Sequence, residues 1–281
     1  MFVLPEVPPY HLRRAPLVQA LVQIRFPMLA RLQSVDGIAR LQDRLGDRFP
    51  YLNQRSQQQL ALQFQIGPGG LAAGQGITSA GWEFTDDNGN LLLVEPGALT
   101  LSVGSAYEGF DSFQESLGEV LVAFTETEPV RRCERIGVRY LSLAELTPGE
   151  QREWTQWFRP ELLGWAGHPD VLSPATQLVS TLTQVQLVGA PDASLGPVSV
   201  SPQAIIRHGW LPAGSLLPGV PPLQPQEAGY FMDLDIAVAT PQTFDVATIV
   251  NQFQWLHHQI DRFFAWSLTE DGRAHFEFEE R

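Results

Sequence analysis

Apolar and polar residues alternate with a period of two along much of the chain, a pattern typical of β-strands that bury one face. From Val18 to Phe26, for example, apolar residues occupy every second position, with Gln19, Gln23 and Arg25 among the residues between them. Similar segments predict strands over residues 60–66, 82–84, 91–94, 99–103, 131–143, 177–188, 198–208 and 230–239. The short connections DDNGN and EPGA are turn sequences, which favours antiparallel hairpins.

Other segments space their apolar residues three and four positions apart, which predicts helices. These run from Ser34 to about Asp47, from about Glu108 to Phe124, around Trp154 and Trp157, and from about Val246 to Leu268. Ser34 is a residue type that caps helix N-termini. The glycine-rich residues 67–76 and the proline-rich residues 211–228 are predicted to be loops, because neither composition suits regular structure.

The order of these elements predicts an α+β fold, in which a mostly antiparallel sheet packs against helices. The sequence LTPGE at 146–150 marks a boundary, and strands and helices occur on both sides of it. We therefore expect an N-terminal α+β half over residues 1–146 and a C-terminal α+β half over residues 147–281. A continuous sheet shared by the two halves is part of this prediction.

The charge is unevenly distributed, and the chain contains no lysine. All 18 basic residues are arginines, against 31 acidic residues, so the net charge is −13. Residues 1–140 hold 12 arginines and 15 acids, a net charge of −3, whereas residues 141–281 hold 6 and 16, a net charge of −10. The absence of lysine excludes Schiff-base chemistry and a lysine-bearing P-loop. The acidic balance argues against non-specific nucleic-acid binding, and an anionic ligand would be recognised by the arginines of the first half.

Several absences in the sequence point to a cytoplasmic protein. The N-terminus lacks the basic start and long apolar run of a signal peptide, and no stretch approaches 18 uninterrupted apolar residues. The single cysteine, Cys133, can form neither an internal disulfide nor a multi-thiolate metal site. Neither the H-E-x-x-H motif of zinc proteases nor the G-x-S-x-G motif of serine hydrolases occurs. We predict no membrane association, no cofactor and no metal.

Three arginines on the predicted strand 131–143 form the strongest candidate binding site. A period of two places Arg131, Arg135 and Arg139 on one face, with Cys133 and Gly137 between them. Guanidinium groups recognise carboxylates and phosphates through paired hydrogen bonds, and Gly137 leaves room for a close approach to the sheet. The arginines are expected either to pair with acids from helices on that face, the commoner arrangement, or to bind a small anion such as a nucleotide.

Other reactive side chains each have a structural interpretation beside a chemical one. Asp233 and Asp235 share one strand face and could bind Mg²⁺, but no third ligand lies nearby, so an exposed, solubilising face is favoured. His257 lies one helical turn before Asp261, the spacing of an oriented general base, although a packing role is favoured. Cys133 lies between arginines that could lower its pKa, and packing beneath a helix is again the favoured interpretation.

The tryptophans of the second half suggest a surface for a partner. Trp154, Trp157 and Trp165 lie close together near the boundary, and Trp210 precedes the proline-rich loop. Tryptophan is enriched at the centres of protein interfaces as well as in cores. We therefore predict that these four residues contribute to an interface.

Four segments together resemble a known family. They are PLVQA at 16–20, YEGFDSF at 107–113, RIGVRYLS at 135–142 and WLHHQIDRFFAWSL at 255–268. The chain resembles a sporadically distributed bacterial family that is defined only by a sequence model and has no established activity. Its pattern has an acid where this chain has Gln19, Trp where it has Phe110, and often Asn where it has Ser142. The resemblance implies an α+β fold and a mobile-element or defence neighbourhood, and it implies no reaction.

Two functions from different classes remain. The first is a non-enzymatic protein-binding or assembly component, such as an immunity, antitoxin or defence-associated partner. It predicts a basic protein partner or self-association. The second is a binding protein or enzyme for a small anionic ligand, held by Arg131, Arg135 and Arg139. It predicts a concave pocket that contains the three guanidinium groups, and we favour the first.

Overall fold

A computed structural model describes residues 4–55, 61–67, 70–76, 81–146, 154–168, 170–171, 178–192, 195, 200–239 and 241–280, with only the backbone described for 61–67 and 70–76. The strands are β1 (Tyr10–Leu12), β2 (Leu17–Arg25), β3 (Tyr51–Arg55), β4 (Ala61–Gly67), β5 (Gly70–Gly76), β6 (Gly81–Thr85), β7 (Leu91–Glu95), β8 (Ala98–Val103), β9 (Arg132–Cys133), β10 (Arg135–Glu145), β11 (Thr183–Val188), β12 (Gln203–Leu211), β13 (Gly229–Val238), β14 (Gln242–Thr243) and β15 (Phe278–Glu280). The helices are α1 (Val35–Leu45), α2 (Phe110–Thr127), α3 (Trp154–Trp157), α4 (Pro160–Leu163), α5 (Val246–Ser267) and α6 (Glu270–His275), with 3₁₀ helices at Ala30–Gln33 and Gly164–Gly167.

Nine of the described strands form one antiparallel sheet, in the order β11-β12-β13-β10-β2-β8-β7-β6-β3. β10 lies near its centre, where Arg139 is opposite Asp235 on β13 and opposite Leu21 on β2. β4 pairs with β5, β1 with β15, and β9 with β14 in three smaller ladders. Because side chains alternate along a strand, this register decides which residues of neighbouring strands share a face.

The long helices pack on one face of the sheet. α5 contacts β10 and β13, and α2 lies between α5 and α1. The core between the layers is built from alternate strand residues and the apolar stripes of the helices, including Val22, Ile24, Ile136, Val138, Phe124, Ile249, Phe253, Leu256 and Ile260. Each such fully buried side chain contributes about 1.5–3 kcal/mol. Over the described ranges, none of the helices has both the length and the apolar character needed to cross a membrane.

The sheet contains strands from both predicted halves. β2, β3, β6, β7, β8 and β10 precede residue 146, whereas β11, β12 and β13 follow it. The largest apolar cluster also draws residues from both sides of that position. The α+β fold with an antiparallel sheet is therefore confirmed, and residue 146 lies within a region that shares one sheet and one core.

Four local predictions were wrong. Of the predicted strand 177–188, only Thr183–Val188 forms a strand among the described residues. Residues 70–76 form β5 rather than a loop, because glycine and alanine conceal the strand alternation in LAAGQG without preventing backbone pairing. The predicted strand 131–143 is interrupted at Glu134, which separates β9 from β10. The tryptophan-rich helix is divided into α3, α4 and a 3₁₀ turn, because Pro160 cannot continue a helix and instead begins one.

Candidate functional site

The face of the sheet opposite the helices carries a set of charged and polar side chains. We call it the polar layer, and it consists of Gln23, Thr100, Arg135, Arg139, Arg207, Asp233 and Asp235. These residues come from five adjacent strands, β12, β13, β10, β2 and β8. The layer includes two of the three arginines predicted as a binding site.

Asp233 is the centre of the polar layer. Arg139 donates from Nε and Nη2 to its two carboxylate oxygens, both at 2.7 Å, and Arg207 donates from Nη1 to Oδ2 at 2.8 Å. The Asp233 side chain is 0% exposed. The prediction of an exposed, solubilising position was therefore wrong for Asp233, because two guanidinium groups cover the carboxylate. The acid that neutralises Arg139 comes from the neighbouring strand β13 and not from a helix.

Arg135 is held less tightly than Arg139. Its Nη2 lies 3.6 Å from Oδ1 of Asp235, and its Nη1 donates to Oε1 of Gln23 at 3.4 Å. A Cβ atom at Gly137 would lie 2.6 Å from Arg135 Nη1. The room that Gly137 leaves at the sheet is thus taken by the guanidinium of Arg135. Burial raises the pKa of Asp235, and the adjacent Arg135 and Arg139 oppose this shift.

Arg131 does not belong to the polar layer, which corrects the predicted three-arginine face. Cys133 and Ile136 both lie in the helix-side core, so the alternation of side chains changes its phase at Glu134. There the chain leaves the main sheet, and β9 pairs with β14. Arg131 is exposed, and its carbonyl oxygen accepts a hydrogen bond from the backbone of Phe244. The structure therefore brings together Arg135 and Arg139 but not Arg131.

Cys133 is a packing residue in this structure. Its side chain is 1% exposed, and burial raises the pKa of the thiol to about 11. A neutral thiol is a poor nucleophile. The idea that the flanking arginines lower its pKa was wrong, because desolvation exceeds any effect of those charges.

The proline-rich loop 211–228 covers one end of the polar face. Its Leu217 is buried against Leu141, Leu143 and Phe231 of the sheet. The backbone of Val220 is held on both sides by Gln19, whose Nε2 donates at 2.7 Å and whose Oε1 accepts at 2.9 Å. Gln19 therefore fixes this loop, a role that a carboxylate at the same position could not fill because it has no donor.

A chain of hydrogen bonds lies on the helix side, directly behind the polar layer. Tyr140 lies 2.9 Å from Nδ1 of His257, whose Nε2 lies 3.1 Å from Oδ2 of Asp261. The hydroxyl of Tyr107 lies 3.3 Å from that of Tyr140. Phe110 stacks on the His257 ring, with 3.7 Å between ring centroids. Residues from three of the four segments singled out in the sequence, 107–113, 135–142 and 255–268, meet here.

This hydrogen-bond chain favours a structural role over a catalytic one. With a neutral imidazole, His257 donates from Nε2 to the carboxylate and accepts from the Tyr140 hydroxyl at Nδ1. Burial raises the pKa of Tyr107 to about 12, and the pKa of Tyr140 is raised well above its ordinary value for the same reason. Both phenols therefore remain protonated at neutral pH and act as hydrogen-bond donors.

The side chains of three predicted interface tryptophans are buried. Trp154 stacks on Trp210 with 5.5 Å between ring centroids and also stacks on Tyr230. Trp157 stacks on His275 at 3.8 Å. These three residues form part of the core within the chain and leave no surface for a partner. Trp165 differs from them, because it is 75% exposed.

Among the strands and helices whose side chains the structure describes, the terminal strand β11 is the most exposed apolar segment. All six of its residues are exposed, including Val185 and Leu187 at 39% each and Val188 at 73%. Among the residues that the structure describes, β11 pairs only with β12. The side chain of Gln184 accepts a hydrogen bond from Arg207, so Gln184 and Gln186 lie on the polar face, and Val185 and Leu187 lie on the helix side.

An apolar cavity of about 160 Å³ lies beside this strand, between the sheet and α5. Its lining consists of Leu4, Leu187, Ala204, Ile206, Leu234, Ile236 and Phe263. The helix side of the sheet is therefore less completely filled near β11 than around β10. The polar layer lies on the other face, so the cavity is separate from the predicted arginine site.

Sequence reasoning identified the arginines but missed the roles of their partners. Asp233 was recognised as a strand carboxylate, yet only the pairing of β13 with β10 shows that it lies beside Arg139. Tyr140 was noted within a motif, but its contact with His257 joins positions 117 residues apart. One signal in the sequence does mark the segment that contains β11. Residues 171–191 carry no charged side chain, although the net charge of the chain is −13.

Comparison with known proteins adds no family. A scan against protein-family models finds no match, and a search of curated proteins finds none either. Within the part of the chain that the structure describes, no three histidine, cysteine, aspartate or glutamate side chains come together as a metal site would require.

Proposed function

We propose that the protein is a non-enzymatic binding or assembly component that takes up a partner strand at the exposed edge of β11. In this mode of recognition, backbone hydrogen bonds join an extended segment to the end of a sheet, and side chains on each face provide selectivity. The observation that carries the proposal is the exposure of all six β11 residues at the end of the nine-strand sheet. A defence or mobile-element setting, which the family resemblance suggests, is compatible with this activity.

The composition of β11 supports this proposal. Natural proteins usually protect terminal strands with charged residues, prolines or a covering segment. β11 has the sequence TQVQLV, which contains neither charge nor proline and exposes Val185, Leu187 and Val188. Such a strand, if it had no partner, would expose the protein to aggregation. We therefore infer that a specific partner covers it.

The polar networks elsewhere support a binding role indirectly. Asp233 is saturated by Arg139 and Arg207, and Tyr140 is engaged by His257. Groups that are already paired within the fold stabilise it and gain little by contacting a ligand. Asp233 and His257, for which sequence analysis considered a chemical role beside the favoured structural one, thus have internal partners.

Site-specific photo-crosslinking tests the proposed function. A photoreactive amino acid replaces Val185 in one variant and Val122 in a control variant, and both are expressed in the native host. Val122 is a matched control because it is also an exposed valine, with 48% of its surface accessible. It lies on helix α2 and not on a strand. We expect a defined crosslinked polypeptide from position 185, identified by mass spectrometry, and none from position 122. No crosslinked polypeptide at position 185, or equal yields at both positions, would contradict the proposal.

A weaker second candidate is a small anion bound at Arg135. It is favoured by the long contacts of this guanidinium, 3.4 and 3.6 Å, and by the presence of three arginines against two aspartates in the polar layer. Calorimetric titration with pyrophosphate and with a nucleotide tests it. Saturable binding that Arg135→Gln removes would support this candidate, and the absence of heat at millimolar concentration would reject it.

A further inference from the structure

We propose that the strand bound by β11 is β11 of a second copy of this chain, related to the first by a two-fold axis. This inference rests on the proposed function and adds the identity of the partner. Antiparallel pairing of the two strands would join two nine-strand sheets into one continuous sheet. Every pair of neighbouring strands in the present sheet is antiparallel, so the addition continues the same geometry.

The distribution of charge favours a second copy over a basic partner. A basic protein would be attracted by acidic side chains, but none occurs on β11 or in the sequence between Asp170 and Asp192. Two copies that each carry a net charge of −13 repel each other, and they can approach most closely where neither has a charge. β11 offers such a place, because it lies in the longest uncharged part of the C-terminal half. The partner that suits this edge is therefore neutral and similar to β11 itself.

The alternation of side chains also suits self-pairing. In an antiparallel two-fold arrangement, a residue lies opposite another whose position in the strand has the same parity, so the two occupy the same face. Glutamines 184 and 186 of one copy would meet glutamines or Val188 of the other on the polar face. Val185 and Leu187 of one copy would meet Thr183, Val185 or Leu187 of the other on the helix side. Because β11 has no charged residue, none of these registers brings two charged β11 side chains together or buries a charged β11 side chain in the contact.

The size of the contact predicts a moderate affinity. Six paired residues are fewer than the roughly 20–30 residues per partner found in standard stable interfaces. We therefore expect a dissociation constant on the order of micromolar. Dimers should form at the concentrations used for sedimentation and dissociate on strong dilution.

A single-cysteine scan along β11 tests the proposal directly. The native Cys133 is 1% exposed, so a cysteine introduced at an exposed position is the accessible thiol. Residues 184–187 are replaced one at a time, and each purified variant is oxidised with copper phenanthroline. In an antiparallel pair, the two-fold axis runs midway between one residue and the same residue of the other copy. The Cβ atoms of these two residues are about 4.5–5.5 Å apart. Positions on either side are further from their own copies, and a disulfide requires close approach.

We expect one of the four positions to give at least a tenfold higher yield of disulfide-linked dimer than the Val122→Cys control. Equal, low yields at all four positions and at Val122→Cys would overturn the dimer. If photo-crosslinking at Val185 then identifies a different protein, the proposed function stands and only this inference fails. If neither experiment yields a product, both fail.

Discussion

The centre of the sheet and its β11 edge differ in charge and in exposure. At the centre, β10 and β13 carry charges, and every carboxylate of the polar layer faces an arginine within 3.6 Å. At the edge, β11 carries no charge, and its apolar side chains remain exposed. The charges of the central strands therefore serve the fold. The interaction that we propose is assigned instead to β11, a strand that carries no charge.

The opposite edge of the sheet strengthens this contrast. β3 follows Pro50 and ends at Arg55, which pairs with Glu83 at 3.5 Å. Tyr51 on the same strand donates to Asp87. Proline and charge are common means of preventing sheet edges from pairing with other chains. Since these features occur at β3 and are lacking at β11, the two edges differ in the property that governs association.

The largest effect is expected at the centre. Asp233→Ala leaves Arg139 and Arg207 without their shared carboxylate, and uncompensated buried charge of this kind costs about 3–5 kcal/mol. Urea unfolding should show this loss as a lower midpoint. Asp235→Ala is the control, because its side chain is 23% exposed and its contact with Arg135 is longer, so its cost should be clearly smaller. Equal costs for the two variants would show that the Asp233 network is not the main polar support of the sheet.

Alkaline pH should destabilise the core. Burial raises the pKa of Cys133 from 9.0 to about 11 and that of Tyr107 from 10.0 to about 12. The unfolded chain releases these protons first, so the contribution of these two groups to the free energy of unfolding should be constant below pH 9 and fall as pH rises towards 12. Each group contributes up to about 1.4 kcal/mol per pH unit between its two pKa values. Denaturant titrations at pH 8, 9 and 10 measure the decline, and Cys133→Ala should flatten its first part. A free energy of unfolding that rises between pH 8 and pH 10 would contradict this prediction.

The hydrogen-bond chain Tyr107–Tyr140–His257–Asp261, on the helix side of the sheet, should contribute less to the free energy of unfolding than the Asp233 network. Tyr140→Phe removes the hydroxyl between Tyr107 and His257 while keeping the ring, so a loss of about 0.5–1.5 kcal/mol is expected. The double variant Tyr140→Phe with His257→Phe should cost less than the two single variants combined, because both remove the same hydrogen bond. Strict additivity in urea unfolding would show that the 2.9 Å contact contributes little.

The smallest effect concerns salt. If β11 pairs with a second copy, no ion pair forms at the contact, and added salt only screens the repulsion between two acidic chains. Dimerisation should therefore strengthen slightly, by less than about tenfold, between 50 and 500 mM NaCl. Sedimentation at several salt concentrations measures this change. Weakening with salt would indicate a charged contact and contradict the uncharged edge as the interface.

The sequence predicted most of what depends on local pattern. The α+β fold, Ser34 as the cap of α1 and the extent of α5 all followed from spacing and residue type. What failed depended on pairing between distant segments. Arg131 was placed with Arg135 because nothing local marks the change of phase at Glu134. Trp154 was considered for an interface because its stacking on Trp210 and Tyr230 arises only once β12 and β13 are paired.

Sedimentation equilibrium of three proteins tests the role of β11 most directly. They are the native chain, the variant with Val185→Lys and Leu187→Lys, and the Val122→Lys control. Because the three positions are at least 39% exposed, the substitutions should leave the chain folded, and only Leu187→Lys also alters the lining of the apolar cavity. At concentrations on the order of 100 µM, we predict the mass of two chains for the native protein and the control, and of one chain for the β11 variant. A native protein with the mass of one chain, or a β11 variant that keeps the mass of two, would contradict the account.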